Sequence, residues 1–489
     1  WTNVQGSIQR CRDHGWAEEI IAMAVGALLP SISSGRDSLA AGTAFSGGFN
    51  VADFAVTTDG TIHFVALIFW SNTGSNEYSN ISRIHWKSVD GGAIWSQGID
   101  TRTYGPGTID YGFDSAQIGG ATTSMEPTFL LTDGDTLWSL SNSKNNAAMV
   151  FNASPGLGSA ENKILVCKST DNGDSWTNLI GDKDLDLLDA QVSSNGNLYA
   201  VGTKGALDFW NAPGADETPT PTYQLAYSAN DGMSWTEVAL DAGAWRTQED
   251  DYPQLGDDVK IVIDSNGWAH ILITARESTN TYTNVVYFRP TSATAWAAGQ
   301  ILETETDQGG AIVSNWAPSY HGQSELIILS DDTLIAAIRI SNTQIQARRS
   351  TNGGSSWDAA TTVFDDSNYG GSAFRGNGSM YLLGDGADGV HLLPVMPFVG
   401  GTYAWAGLDE SLSSDKGLTF AASVTIPGQD IDTGGGDSPF SGMKPTEWND
   451  TLGWHHRIRA KSQNGDLYLM GNNSSGGNGD VYYLTKYSL

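Results

Sequence analysis

Three segments of the chain place aromatic rings beside charged side chains. Trp and Tyr rings offer flat apolar faces, and neighbouring Arg, His or Asp groups offer hydrogen bonds. Sugars present C–H patches flanked by hydroxyl groups, so this combination suits carbohydrate binding. The candidate ligand-binding residues are Trp245, Arg246 and Tyr252, then Trp316, Tyr320 and His321, and finally Trp454, His456 and Arg457. The alternative is that these rings pack in an apolar core.

Three acid-rich segments could supply oxygen ligands for calcium: Asp182–Asp189, Asp385–Asp388 and Asp430–Asp437. None matches the spacing of an EF-hand, so solvated loops are the alternative. The adjacent His455 and His456 do not suggest a metal site, because neighbouring residues of a strand point to opposite faces. The sequence therefore predicts no required cofactor and no metal ligands, and it leaves calcium open.

Composition limits the classes of partner. The 489 residues include 55 acidic and 25 basic side chains, a formal charge of −30. Phosphate-backbone binding needs the opposite sign, so nucleic acid is not expected as a partner. The longest apolar run, Ile20–Leu29, is too short to span a bilayer, and no membrane span is predicted. Cys11 and Cys167 exclude a disulfide framework but leave one bridge open.

These candidate residues must be positioned by the elements around them, and one phrase recurs among those elements. The pattern is S-x-[DN]-x-G-x-x-[WF], with copies that begin at Ser88, Ser169, Ser228, Ser350 and Ser413. The Asp or Asn can accept hydrogen bonds from turn amides, Gly allows a backbone angle closed to other residues, and the ring fills apolar surface. The phrase therefore predicts a hairpin turn, and its recurrence predicts internal repeats.

A second signal is a two-residue turn between apolar runs, typical of tight hairpins. The turns are Asp59-Gly60, Asp133-Gly134, Asn195-Gly196, Asn266-Gly267, Asp331-Asp332, Asn377-Gly378 and Asn464-Gly465. Each is followed by a strand, and a third strand then leads into the repeated phrase, as Ile164–Lys168 does. A fourth strand follows the aromatic residue, as Glu237–Leu240 does. Each repeat is thus predicted to be a four-stranded antiparallel unit.

The turns imply seven such units, of which two are irregular. Phe288–Trp296 in the fourth unit keeps the strand and the Trp but lacks the Asp and Gly of the phrase. The seventh unit ends after its third strand, Tyr482–Ser488, so an N-terminal strand within Ala40–Asn50 is expected to complete it and remove open edges. The predicted fold is all-β, a seven-bladed β-propeller with a short N-terminal helical segment; a six-bladed ring with one extra hairpin is the alternative.

The N-terminal region differs from the repeats. Asp13 can cap a helix that runs from about Gly15 to Leu29, and Pro30 would end it. The predicted organisation is a helical or attachment segment at 1–45 followed by a propeller at 46–489. The segment either packs on the main domain or attaches the chain to a larger assembly.

The repeated phrase resembles that of the Asp-box (BNR-repeat) β-propellers, which include the sialidases, over about residues 46–489. In that family the phrases lie on the outer rim and ligands sit at one end of the central axis. The resemblance implies that the phrase is structural and that the chemistry lies in other loops. Similar phrases occur in glycosidases, polysaccharide-degrading enzymes and non-catalytic binding proteins, so the phrase does not decide between these functions.

Part of the chain also resembles the catalytic segments of sialidases. Glu325 and Arg339 resemble the Glu that activates the nucleophile and one arginine of the carboxylate clamp, Tyr369 resembles the nucleophile, and Arg375 resembles another clamp member. The Phe-Arg-Ile-Pro signature expected before the first phrase is absent. The seven predicted units also exceed the six of sialidases.

The sequence therefore supports two main hypotheses for the function. The first is an extracellular glycan-recognising propeller, a surface adhesin or virion receptor-binding protein. The second is an exo-acting sialidase-like glycoside hydrolase or a polysaccharide lyase. A protein-docking scaffold is a third interpretation.

Overall fold

The computed structural model of the chain describes residues 27–28, 52–71, 78–92, 94–96, 99–100, 129–143, 163–204, 222–240, 259–276, 282–306, 324–340, 344–365, 380–386, 388–396, 407–422, 424–425, 459–463, 466–474 and 480–488. These residues form β-strands and turns, without a helix. Within that part of the chain, accordingly, no helix is long and apolar enough to cross a membrane. The chain divides into two compact units, one with sheets 1–4 and the other with sheets 5–7, which are described separately.

Four antiparallel four-stranded sheets make up the first unit. Sheet 1 contains β2 (Ala52–Val56), β3 (Ile62–Ser71), β4 (Tyr78–Ser88) and β5 (Ile99–Asp100). Sheet 2 contains β6 (Phe129–Asp133), β7 (Thr136–Ser143), β8 (Lys163–Ser169) and β9 (Thr177–Asp184). Sheet 3 contains β10 (Asp186–Val192), β11 (Leu198–Lys204), β12 (Thr222–Ser228) and β13 (Thr236–Ala239). Sheet 4 contains β14 (Val259–Ile263), β15 (Ala269–Arg276), β16 (Tyr282–Phe288) and β19 (Gln300–Thr306), with a separate hairpin of β17 (Pro290–Ser292) and β18 (Ala295–Trp296).

Three sheets of the same kind make up the second unit. Sheet 5 contains β20 (Ser324–Ile328), β21 (Leu334–Arg339), β22 (Gln344–Ser350) and β23 (Thr361–Asp365). Sheet 6 contains β24 (Met380–Gly384), β25 (Val390–Met396), β26 (Gly407–Ser413) and β27 (Val424–Thr425). Sheet 7 contains β28 (Arg459–Gln463), β29 (Asp466–Ser474), β30 (Asp480–Ser488) and β1 (Ala27–Leu28). The predicted four-stranded antiparallel units are therefore confirmed, and seven of them occur among the described residues.

Within each unit, consecutive sheets pack face to face, with their first strands side by side. Sheet 3 illustrates why both faces of a sheet are apolar. Its Leu198 and Ala200 pack in a core shared with sheet 2, whereas Tyr199 and Val201 pack in a core shared with sheet 4. Because successive side chains of a strand point to opposite faces, one strand contributes to two cores. This arrangement is typical of consecutive propeller blades.

Most of the predicted hairpins are found at the two-residue turns that the sequence indicated. The β10–β11 turn holds Gly196 at φ +79°, and the amide of this glycine donates to Ser193 O at 2.8 Å. In sheet 5, Asp332 takes the left-handed conformation at φ +63° instead of a glycine. In sheet 7, Gln463 pairs with Asp466, so residues 464–465 join β28 to β29 as predicted, although they lie outside the described residues.

Three sequence-based expectations are corrected. The first two strands of sheet 6 join between Gly384 and Val390, whereas the expected turn at Asn377-Gly378 precedes β24 and lies outside the described residues. The fourth strand of sheet 7 comes from Ala27–Leu28, which pair with Leu484 and Tyr483, and not from the stretch Ala40–Asn50. The same two residues were expected at the end of an N-terminal helix. Pairing with the open edge of β30 satisfies their backbone groups as a strand, and the rest of the proposed helix lies outside the described residues.

Candidate functional site

The connections between strands separate every sheet into two ends. The eight-residue repeated phrases are called repeat turns from here on. The repeat turns and the hairpins between first and second strands lie at one end of each sheet, the turn-bearing end. The second-to-third connections and the connections between sheets attach at the other, the loop-bearing end. This division follows from antiparallel order alone, and it decides which residues can share a site.

The repeat turns hold themselves together through one repeated set of hydrogen bonds. In the turn that follows β8, the Ser169 hydroxyl donates to Asp171 Oδ1 at 2.8 Å and accepts from the Gly173 amide at 2.9 Å. The Ser175 amide donates to the same Asp171 oxygen at 2.9 Å. The other four turns repeat these three contacts at 2.7–3.0 Å. In the last turn, the Thr419 hydroxyl and amide hold the pKa of Asp415 at about 2.

Three of the repeat turns also join their sheet to the one before it. Lys87 of β4 donates to Asp174 Oδ1 at 2.7 Å, and Lys168 of β8 donates to Asp231 Oδ1 at 2.6 Å. In the second unit the direction is reversed, because Lys416 of a repeat turn donates to Asp331 Oδ2 of sheet 5 at 2.6 Å. The Ser, Asp or Asn, and Gly groups that define these turns are thus engaged in structural contacts.

Sheet 4 lacks a repeat turn and uses the β17–β18 hairpin at that place. Trp296 of this hairpin donates its indole N–H to Ala269 O at 2.6 Å and packs on the core shared by sheets 3 and 4. The prediction that the fourth unit keeps its Trp but not the phrase agrees with this geometry.

Two of the candidate catalytic residues are described, and both lie at the loop-bearing end of sheet 5. Glu325 is 7% exposed and Arg339 is 6% exposed. Glu325 pairs with Ala337, two residues before Arg339, so the two charged side chains lie on one face of the sheet. Diagonal neighbours of this kind are about 7–8 Å apart. A buried Glu and Arg at such a separation form a charged site on an otherwise apolar face.

Glu325 also has a structural counterpart in two other sheets. It precedes the last paired residue of its strand by three positions, as Asp53 does in β2 and Asp189 does in β10. Asp53 accepts the Phe54 amide at 2.9 Å and the Leu130 amide of the next sheet at 2.8 Å. Asp189 likewise accepts the Ala190 amide at 2.9 Å and the Ile261 amide of the next sheet at 2.8 Å. A carboxylate at this position therefore has a structural use, which is the alternative to a catalytic role for Glu325.

The remaining candidate residues lie outside the described residues, and their chain positions share one property. Each falls in a connection from the last strand of one sheet to the first strand of the next, so both anchor points of the connection are at loop-bearing ends. These residues are Trp245, Arg246 and Tyr252 before β14; Trp316, Tyr320 and His321 before β20; Tyr369 and Arg375 before β24; and Trp454, His456 and Arg457 before β28.

No group of three or more potential metal ligands occurs among the described residues. The acid-rich segment Asp182–Asp189 is not a loop, because it belongs to β9 and β10 with only Leu185 between them. Asp385 accepts the Gly389 amide at 3.1 Å, and Asp388 lies 3.2 Å from Lys416 Nζ. The segment Asp430–Asp437 lies outside the described residues.

Sequence reasoning missed a set of buried histidines at the turn-bearing ends. His63, His270 and His391 are 0%, 2% and 5% exposed, and each is the second residue of its sheet's second strand. The signal was available in the sequence, because His63 and His270 both follow a hairpin glycine by three residues. In sheet 4, His270 Nδ1 lies 2.5 Å from Tyr287 Oη and its Nε2 lies 3.4 Å from Asp264 Oδ2. Burial raises the pKa of Tyr287 well above its usual value.

Comparison with known proteins gives weak likenesses. No protein-family model and no curated protein sequence matches the chain. Among solved structures, it is similar to the intramolecular trans-sialidase from Ruminococcus gnavus, at 13% identity and a TM-score of 0.38, over 91% of this chain and 96% of that one. It is similar to the α-L-arabinanase of Penicillium chrysogenum, at 12% identity and a TM-score of 0.39, over 80% and 97%. It is also similar to YCF48 bound to D1 peptide, at 12% identity and a TM-score of 0.37, over 91% and 94%. Likenesses at these TM-scores assign no function to this chain.

Proposed function

We propose that this chain is a carbohydrate-binding β-propeller that holds its ligand at the loop-bearing ends of its sheets. One observation carries the proposal: every candidate ligand residue falls in a connection anchored at those ends, whereas the repeat turns at the opposite ends are occupied by structural contacts. In this proposal the seven sheets are seven blades; the alternative from the sequence is a six-bladed ring with one extra hairpin. The protein acts outside the cell as a surface adhesin or a virion receptor-binding protein, and the N-terminal residues that precede β1 attach it to a larger assembly.

A glycan array tests this function directly. Wild-type protein is expected to bind a defined set of saccharides, and Trp245→Ala, Trp316→Ala or Trp454→Ala should weaken that binding, because each removes a ring that can stack on a sugar face. Ile94→Ala is the control, since Ile94 is a 73% exposed apolar residue of a repeat turn and should leave binding unchanged. Absence of saccharide binding by the wild type would reject the proposal. Equal loss from the control would reject the location.

Binding is proposed to require no cofactor. The remaining alternative is calcium held by the acid-rich segment Asp430–Asp437. Glycan binding measured before and after dialysis against EDTA decides between these two: unchanged binding supports a metal-free site, and loss that calcium restores supports the ion.

A second candidate function is sialidase-like glycoside hydrolysis. It is favoured by one specific observation, the buried Glu325 and Arg339 on one face at the loop-bearing end of sheet 5. In this mechanism Tyr369 attacks the anomeric carbon and Glu325 accepts its proton, while the bond to the aglycone breaks and the aglycone oxygen takes a proton from water. Water then hydrolyses the glycosyl–tyrosine bond, and Arg339 with Arg375 binds a substrate carboxylate throughout. Turnover of a fluorogenic sialoside that is abolished by Tyr369→Phe would support it. Release of an unsaturated sugar from a polysaccharide would indicate a lyase instead.

Glu325→Gln separates the catalytic role from the structural one. A catalytic Glu325 predicts lost turnover with an unchanged unfolding midpoint. A role like that of Asp53 and Asp189 predicts a lowered unfolding midpoint, because the amide nitrogen cannot accept a backbone N–H.

A further inference from the structure

The three buried second-strand histidines share one geometry but have chemically different partners. For His63 and His391, Nδ1 meets the third-strand residue two positions before the residue that pairs with the histidine. His270 Nδ1 meets Tyr287, the third-strand residue just before Phe288, which pairs with Ile271. The partner is Glu410 Oε1 for His391, Tyr287 Oη for His270 and His85 Nε2 for His63, at 3.0 Å. Glu410 can balance a charged imidazole and Tyr287 offers an oxygen acceptor. The partner of His63 is another base.

The His63–His85 pair lies between sheets 1 and 2. The two rings stack with centroids 5.3 Å apart, and the edge of Trp176, in the repeat turn of sheet 2, meets the His85 ring at 5.0 Å between centroids. A Cβ at Gly173 of the same turn would lie 2.4 Å from His85 Cε1. Both histidines are 0% exposed, so the repeat turn of sheet 2 covers them.

We propose that the His63–His85 pair is an acid-labile joint, which holds sheet 1 against sheet 2 when both imidazoles are neutral and releases it when they take up protons. A neutral pair needs one donor and one acceptor, which the two rings supply. A first proton places a charge in an apolar joint, and a second removes the acceptor and sets two cations about 3 Å apart. Opening the joint exposes both rings to water, where they can be protonated without burying a charge and with less repulsion between the two cations.

The charged groups around the pair do not remove this effect. The side chain of Asn172, in the repeat turn of sheet 2, is the strongest influence that favours a charged His63, and Asp59 and Asp174 add to it, whereas Lys87 on β4 opposes it. Lys87 and Asp174 also pair with each other at 2.7 Å, which reduces their separate influence. Burial dominates and lowers the pKa of His63 to about 4, and burial together with the charges of His63 and Lys87 lowers the pKa of His85 well below its usual value.

The lowered pKa values of the two histidines determine how the stability of the closed joint changes with pH. Between pH 6.5 and about 4, an exposed His63 binds a proton that the buried His63 does not, so acidification favours the open joint. For His63 alone, the open-to-closed ratio is expected to rise about twentyfold between pH 7 and pH 5. His85 adds to this effect in the same direction.

Hydrogen–deuterium exchange of the full chain, corrected for intrinsic exchange rates, measures the opening locally. Peptides that cover β3, β4 and residues 169–176 should exchange at least about twentyfold faster at pH 5 than at pH 7. His63→Asn should flatten this response, because its amide sits near the former Nδ1, stays neutral and can accept from a charged His85. His85→Gln is the second variant, with the amide near Nε2. His391→Asn is the matched control and should keep the wild-type response in those peptides.

The wild-type arm alone can overturn the proposal: equal corrected exchange at the two pH values would show that the joint does not respond to acid. A wild-type response that both His63→Asn and His85→Gln retain would assign it to other groups. Glycan binding is not needed for this readout, so the joint and the carbohydrate-binding function fail independently.

Discussion

The glycine at the fifth place of each repeat turn is expected to be irreplaceable, and Gly232→Ala tests this. Gly232 has φ +86°, a conformation that costs an L-residue about 1–2 kcal/mol. A Cβ there would lie 2.6 Å from Val166 Cγ2 and 3.4 Å from Trp235 Cζ2. Val166 is 1% exposed and Trp235 4% exposed, and the branched valine has little rotamer freedom. Overpacking therefore adds about 1–3 kcal/mol, for a total of about 2–5 kcal/mol.

The matched control is Gly353→Ala, one place earlier in another repeat turn. Gly353 has φ +63°, but nothing lies within 4 Å of its added Cβ, so only the conformational cost of about 1–2 kcal/mol is expected. The free energy of opening at the site of each substitution is measured by hydrogen exchange, on peptides from β8 and β12 for Gly232→Ala and from β22 for Gly353→Ala. The double variant Gly232→Ala with Val166→Ala should lose less free energy of opening than the two single variants lose together, because the valine methyl that clashes is gone.

Equal losses in the two glycine variants would refute this reasoning, since the conformational cost alone would then explain both. Strict additivity in the double variant would equally show that Val166 is not the obstacle.

Three further predictions concern contacts between and within the sheets. Asp53→Asn should lower the unfolding free energy by about 1–3 kcal/mol, because an amide nitrogen would face the N–H of Phe54 or Leu130; a urea titration that shows no loss would contradict it. Lys416→Met should leave the unfolding free energy almost unchanged, because its partners Asp331 and Asp388 are 45% and 62% exposed, and any difference from wild type should shrink in high salt. Trp296→Phe should cost about 0.5–1.5 kcal/mol through the lost hydrogen bond to Ala269 O, with a thermal melt as the readout and Trp296→Tyr as the comparison.

Prediction from sequence worked best where the structure is local. The five repeat turns close through contacts within eight consecutive residues, as Ser169, Asp171 and Gly173 do, so their pattern alone indicates the turn. Strand pairs such as Thr136–Ser143 with Lys163–Ser169 follow from alternation and from the turns that flank them.

Prediction from sequence was wrong where pairing with a distant strand determines the secondary structure of a segment. Ala27–Leu28 has the apolar pattern of a helix, yet these residues pair with Tyr483 and Leu484, far away in the chain. Asp182–Asp189 has the composition of a solvated loop, yet its residues extend into β9 and β10, where Asp189 accepts the Ile261 amide of the next sheet. No local pattern contains these partners, so neither outcome could be read from the segment itself.

In the candidate site, too, some features follow from local sequence and others depend on tertiary packing. The sequence by itself determined the antiparallel order of the strands, and with it the end of the sheets at which the connections with Trp245, Trp316 and Trp454 are anchored, because each turn type is encoded by neighbouring residues. Only the tertiary structure decided that Glu325 shares a register position with Asp53 and Asp189, and that His63 meets His85 beneath a repeat turn of the next sheet. Those relations depend on which strands pair and which faces meet, and burial in that packing is what changes the chemistry of the side chains.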